Sequence, residues 1–268
     1  MHSGGLEMKM KKLIAMLMVI GMAVAMLSAC GGKADEAKKI ESADDLEGAK
    51  IGVQTGTTGD IYITDDYGDE NVERYNKGFE AVQALSQGKI DAVVIDNQPA
   101  LEFVKDAEGL KILETPYTEE DYAMCFQKDS ALVEDFNTAI KELQDDGTFD
   151  QIVDYYINGK GEPYESPADI SYDKGELVMA TNAEFPPYEY KEGDEVVGLD
   201  ADLAKAICDK LGYKLTIEDM AFDSIIPAVQ SGKAAFGAAG MTVTEERQTQ
   251  VDFSTPYYTG KQVIIVKE

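Results

Sequence analysis

The sequence predicts an α/β fold built as two similar lobes, and three observations carry that expectation. Strands and amphipathic helices alternate from about residue 48 onward, which is the pattern of α/β folds. Two segments echo each other: ALSQGKIDAVVID, ending at Asp96, and AVQSGKAAFGAAG, ending at Gly240. Each reads as a helix, a GK turn and a strand in the same register. Between the two runs, GKGEPYESPADISYDKG (159–175) collects glycine, proline, serine and charge, a linker composition.

The elements follow in order. KIGV (50–53) reads as a strand, QTGTTG as a turn, and a helix begins near Thr58. FEAVQALSQ (79–87) has helical apolar spacing, and IDAVVI (90–95) is apolar enough for a buried strand. LVEDFNTAIKELQDDG (132–147) is a helix with a glycine stop, followed by the helix FDQIVDYYI. After the linker come the strand LVMAT, the helix LDADLAKAICDKLG, the strand YKLTIE, the helix FDSIIPAVQSG and the strand AAFGAA. The chain closes on the β-branched run QVIIV (262–266).

Composition narrows the function classes. The 51 acidic residues outnumber 24 basic ones, a formal net charge of -27, so nucleic-acid phosphates would be repelled. With no long acidic block, the charge reads as a hydrated, soluble surface. The only histidine is His2; a Ser-His-Asp triad or a histidine zinc site is therefore excluded from the folded part. Cys30, Cys125 and Cys208 lack CxxC spacing, so neither a zinc ribbon nor a thioredoxin-type motif is available. Cys125 and Cys208 sit in apolar segments and read most simply as buried thiols, with a disulfide between them left open. No cofactor or metal is expected.

MKMKK (8–12) is a basic lead to the apolar run Leu13 to Leu27, which is short for a membrane span and suits a signal peptide. MHSGGLE lies upstream of the expected start at Met8. The run ends in LSAC (27–30), followed by Gly31-Gly32 and the polar KADEAKK. This resembles a bacterial lipobox, with Cys30 as the lipidated residue; an ordinary secretory signal or a transmembrane anchor are the alternatives.

Several residues could carry chemistry. TGTTG (55–59) joins a strand to a helix start, where backbone N–H groups and hydroxyls suit an anion or simply make a glycine turn with threonine caps. It has neither the Walker A nor the GxGxxG spacing. Arg247 in GMTVTEERQ is one of only two arginines, with Arg74, among 22 lysines. It suits bidentate contact with a carboxylate, or a surface ion pair with Glu245 or Glu246. Asp96, closing an apolar strand, could receive an ammonium group or cap the next helix. Phe185 and Phe222 could be core or ligand-stacking surface.

Together TNAEFPPYEY, VGLDADLAKAI, FDSIIPAVQSGK, GMTVTEERQTQVDFSTPYY, GVQTGTTGD and GKIDAVVIDN resemble the polar amino-acid-binding proteins of ABC importers. These are extracytoplasmic solute-binding proteins with a two-lobed, type II periplasmic-binding-protein-like fold. The resemblance covers nearly all of residues 40 to 268. It implies that Arg247 clamps the ligand's α-carboxylate, helped by Thr242, the backbone at Gly240, Thr57 and Thr58. Asp96 would take the α-ammonium. Phe185 and Phe222 would sandwich the side chain, and Asn182, Glu184 and Gln54 would line its far end. A zwitterion leaving water needs both charges paired, because burying either alone is costly.

In that family TNAEFPPYEY normally lies near the mature N-terminus, and GVQTGTTGD follows a run ending VIIVKK. Here the order is reversed, which reads as a circular permutation. The expected organisation is a signal peptide (1–29), a lipid-anchored tether (30–39) and a second lobe (40–122). A hinge strand and terminal helices follow (123–160), then a linker joining the usual termini (161–175) and a first lobe (176–268). QVIIV is expected to pair beside DYAMCFQK (121–128) without covalent continuation, and a single crossover leaves room for lobe exchange between two chains. The resemblance implies a non-catalytic receptor, anchored outside the cell membrane, that delivers a polar L-amino acid to an ABC permease. A sensor for a separate signalling partner is one alternative. A dehydratase-like enzyme, with Glu184 as the acid or base, is another.

Overall fold

The computed structural model describes residues 39–105 and 107–268; the expected signal peptide and lipobox, with Cys30, lie outside the described residues. Lys39–Glu268 form one unit. Its first α/β run holds β1 (Ile51–Gln54), α1 (Thr58–Tyr67), β2 (Val72–Tyr75), α2 (Gly78–Ser86), β3 (Ala92–Asp96), α3 (Asn97–Val104) and β4 (Leu110–Ile112). Two short strands, β5 (Thr118–Tyr122) and β6 (Cys125–Phe126), lead to α4 (Leu132–Asp145) and α5 (Thr148–Tyr156).

The second run opens with β7 (Glu176–Thr181), β8 (Glu184–Phe185), β9 (Glu189–Glu192) and β10 (Glu195–Val197). It continues through α6 (Leu199–Leu211), β11 (Lys214–Asp219), α7 (Ile225–Gln230), β12 (Phe236–Gly237), α8 (Glu245–Gln250) and β13 (Asp252–Phe253). The last strand is β14 (Tyr258–Lys267).

One sheet runs β2-β1-β3-β14-β4, with β5 also paired to β14; another runs β11-β7-β12-β6-β13. In the first, β1 is parallel to β2 and β3. In the second, β7 is parallel to β11 and β12. Strand alternation divides the first sheet's apolar residues between two cores. Val93, Ile95, Val263 and Ile265 enter one cluster, and Ala92, Val94, Ile264 and Val266 enter the other. A run buried on both faces has no polar positions to alternate with, which is why AVVI (92–95) and VIIV (263–266) are uniformly apolar. Phe126 and Phe236 of the second sheet interlock with Phe136 of α4, with centroids 4.9 to 6.0 Å apart.

The last strand departs from the sequence expectation. QVIIV does not lie beside residues 121–128; it is hydrogen-bonded between β3 and β4, with Val263 opposite Ile95 and Ile265 opposite Ile112. The stretch beside the crossing segment is 258–262, with Tyr258 opposite Tyr122 and Gly260 opposite Glu120. Thus β14, assigned to the first lobe from sequence, completes the sheet of residues 51–122. The chain passes between the sheets twice, at 122–125 and at 253–258. The Tyr257 N–H donates to the Tyr122 carbonyl (3.0 Å), and the Ser254 N–H to the Met124 carbonyl (2.9 Å). The cause is burial: an apolar β-branched strand left at a solvated edge would expose both its ladder and its side chains. With two covalent crossings, the single-crossover premise for lobe exchange is gone.

Cys125 and Cys208 are both free and buried. Burial pushes each thiol up to about 12, so they are packing residues and not nucleophiles.

Candidate functional site

Ligands of open α/β sheets bind beyond the carboxyl ends of parallel strands. Here the ends of β1, β3 and β12 converge on one small cavity. It is lined by Gln54, Thr57, Thr58, Asp96, Phe185, Phe222, Ala239, Gly240, Thr242 and Arg247. Nine of the residues singled out from sequence therefore meet at one place. Asn182 and Glu184 are not in its wall; they stand behind Gln54, whose Nε2 donates to the Asn182 side-chain oxygen (2.8 Å).

Arg247 is 5% exposed, so it is not a surface ion pair with Glu245 or Glu246. Its Nη1 donates to the Thr242 carbonyl (2.9 Å) and its Nη2 to the Gly56 carbonyl (3.1 Å). The guanidinium lies 5.4 Å from the Phe222 ring centroid, a cation–π distance. A guanidinium has five N–H donors; two are engaged among the described residues, which leaves three. Burial lowers its pKa below the ordinary value, opposed first by the Glu120 charge.

Asp96 stands at the N-cap position of α3 but makes no side-chain cap. Its carboxylate instead accepts from the Tyr122 hydroxyl and from Gln262 Nε2 (2.7 Å). Burial, and next the neighbouring Glu120, push its pKa up to about 7. Thr57 caps α1 from its side chain and donates its hydroxyl to the Gln54 carbonyl (2.8 Å).

Sequence reasoning missed Glu120, Tyr122 and Gln262. Glu120 is 4% exposed, and one of its oxygens accepts from Thr58 (2.9 Å), Thr242 (3.1 Å) and Gln262 (2.9 Å). A protein carboxylate thus occupies the hydroxyls of Thr58 and Thr242, two of the three threonines that the resemblance assigns to the ligand's carboxylate. The missed signal was alternation: in TEEDY, positions 120 and 122 point inward while 119 and 121 are exposed.

Behind the site, Asp200 on α6 accepts from the Gly240 N–H (2.8 Å) and the Tyr257 hydroxyl (2.7 Å). This fixes Gly240, whose φ of +51 and 3.2 Å approach of Phe185 to an added Cβ disfavour any side chain. Burial raises the pKa of Asp200 to about 6 and that of the adjacent Glu189 well above the carboxylate range. Among the described residues no cluster of three or more acidic, Cys or His side chains could hold a metal. No described helix is long and apolar enough to cross a membrane.

The segment that supplies Phe185, Phe222, Gly240, Thr242 and Arg247 decides the comparison with known proteins. Residues 177–268 match the bacterial extracellular solute-binding proteins, family 3. Over 95 residues the chain is 47% identical to the arginine-binding extracellular protein ArtP of Bacillus subtilis (strain 168), covering 35% of this chain and 37% of that one. Over 93 residues it is 42% identical to the ABC transporter arginine-binding protein 1 of Escherichia coli (strain K12), covering 34% and 38%. A solved structure, an ancestral arginine-binding protein bound to arginine, is 55% identical over 31% of this chain and 38% of its own, with a TM-score of 0.31. The chain therefore spans less than two fifths of the length of the curated relatives it matches. The family 3 segment supplies one wall of the cavity. The other wall, with Gln54, Thr57, Thr58 and Asp96, lies outside it.

Proposed function

We propose that the protein is an extracytoplasmic solute-binding receptor that takes a polar L-amino acid between its two sheets and passes it to an ABC permease. The observation that carries this reading is the pairing of a buried Arg247 with a buried Asp96 across one cavity. Opposite charges on opposite walls suit a zwitterion, which neither wall would hold alone.

In this reading the three remaining N–H groups of Arg247 take the ligand's carboxylate. The first-turn amides of α1 assist, since a helix start leaves its N–H groups without intrahelical partners. Asp96 and Glu120 face the ammonium. Phe185 and Phe222 flank the side chain, and Gln54, Asn182 and Glu184 stand at its far end. Closure is a hinge movement about the two adjacent crossings, driven by contacts that one ligand makes to both walls. The arginine-binding names of the matched relatives favour a ligand with a polar or cationic end. The function in this reading is binding and delivery, in keeping with the matched relatives, which are named as binding proteins.

The same reading places the protein outside the cell membrane, held by a lipid on Cys30, with a family 3 fold whose lobe order is circularly permuted. Support for permutation comes from order alone: the family 3 segment begins at residue 177, and the GVQTGTTGD wall of the cavity precedes it.

Thermal unfolding of the full chain against each L-amino acid at millimolar concentration tests the proposal. A ligand at about a thousand times its dissociation constant adds about 4 kcal/mol of stability. One or a few polar amino acids should raise the midpoint by several degrees. No shift from any of them would contradict it.

A further inference from the structure

Lys77, at the N-cap position of α2, lies outside the family 3 segment and reaches across the cleft to Glu184 on β8. Its ammonium bonds one oxygen of the Glu184 carboxylate. The other oxygen, Oε2, is buried and has no partner among the described residues. The second lysine at this rim, Lys191, is engaged by Asp219, so Lys77 alone occupies Glu184. The Glu184 N–H bonds the Asn182 carbonyl (2.7 Å), and the Asn182 side chain meets Gln54 on the cavity wall (2.8 Å). Glu184 is thereby placed just behind the cavity, where the far end of a bound side chain would arrive.

We propose that Lys77 is a specificity-determining residue that biases this site away from a guanidinium and toward a side chain that donates from a single nitrogen, such as the amide of glutamine. The inference rests on the amino-acid reading given above. A guanidinium fork binds a carboxylate through two parallel N–H···O bonds and needs both oxygens. With one oxygen held by Lys77, Glu184 offers only the other. That suffices for one amide N–H, and the nearby lysine charge repels a cation without penalising a neutral amide. The family 3 segment supplies the acidic group; a residue outside it determines how much of that group a ligand can use.

Calorimetric titration of the full chain with L-arginine and with L-glutamine, repeated for Lys77→Met, Glu184→Gln and Lys191→Met, tests this. Lys77→Met should raise the affinity for arginine relative to glutamine by up to ~5-fold, the upper end for a partly exposed ion pair. Glu184→Gln should lower that ratio, and Lys191→Met should leave it unchanged. An unchanged ratio in Lys77→Met overturns the proposal. So does an equal loss for both ligands, which would make Lys77 a latch between the lobes, or an equal gain in Lys191→Met, which would make the effect general electrostatics. If Lys77→Met does not fold, the ratio in Glu184→Gln decides in the same way. Absence of binding by the wild type to any amino acid would instead remove the underlying reading, and this inference with it.

Discussion

Arg247 donates Nη2–H to the Gly56 carbonyl oxygen, 3.1 Å away on the opposite wall of the cavity. The same guanidinium holds the Thr242 carbonyl on its own side. One side chain therefore ties both walls and still has donors to offer. Arg247→Ala is expected to weaken amino-acid binding by at least ~30-fold, since losing one partner of a buried charge pair costs about 2–5 kcal/mol. Arg247→Lys should recover only part of this, because an ammonium cannot reproduce the planar fork. Calorimetric dissociation constants of the two variants provide the check.

Asp96 makes binding depend on pH. Its pKa in the unliganded protein is raised to about 7, by burial first and Glu120 next. A ligand ammonium needs the ionised form, so below that value each binding event must first displace a proton. Affinity should fall about tenfold from pH 8 to pH 6, and Asp96→Asn should bind weakly with a flat profile. In the unliganded protein the same shift acts on stability. The contribution of protonated Asp96 is fully present below its unfolded value of about 4 and is lost as pH rises through 7. Titrations and thermal melts across pH 5–8 measure both.

Gly260 sits directly beneath the Tyr122 ring, where a Cβ would collide with the phenol. That phenol is the group that holds Asp96. Gly260→Ala should cost about 1–3 kcal/mol through overpacking and also weaken binding by displacing Tyr122. Urea unfolding gives the first quantity and ligand titration the second. Loss of stability with unchanged binding would separate Tyr122 from the site.

Phe236 packs against Phe126 and Phe136 at the centre of the second sheet. Phe236→Ala should destabilise by about 3–5 kcal/mol, combining lost transfer energy with a residual cavity. Because β12 delivers Ala239 and Gly240 to the cavity, binding should weaken as well. Chemical denaturation of wild type and variant checks the stability term.

Much of this architecture was legible because burial writes it into residue type. The apolar IDAVVI could only be an internal strand, and the rarity of arginine made Arg247 conspicuous. Glu120 was not legible, because three consecutive acidic residues in TEEDY read as surface until the strand's alternation is known. Gln262 was hidden for the opposite reason: it opens a β-branched run in which a polar residue looks incidental, yet it bridges Asp96 and Glu120. The allegiance of β14 also escaped the sequence, since apolar character says that a strand is internal but not to which sheet.

The central claim is that one cavity holds both charges of an α-amino acid. Calorimetric titration of the full chain should compare the amino acid that stabilises it most with its carboxyl-amidated form and its α-deaminated form. The account predicts that each modified ligand binds at least ~30-fold more weakly than its parent, as expected when one buried charge loses its partner. Retention of full affinity by either modified form would contradict it.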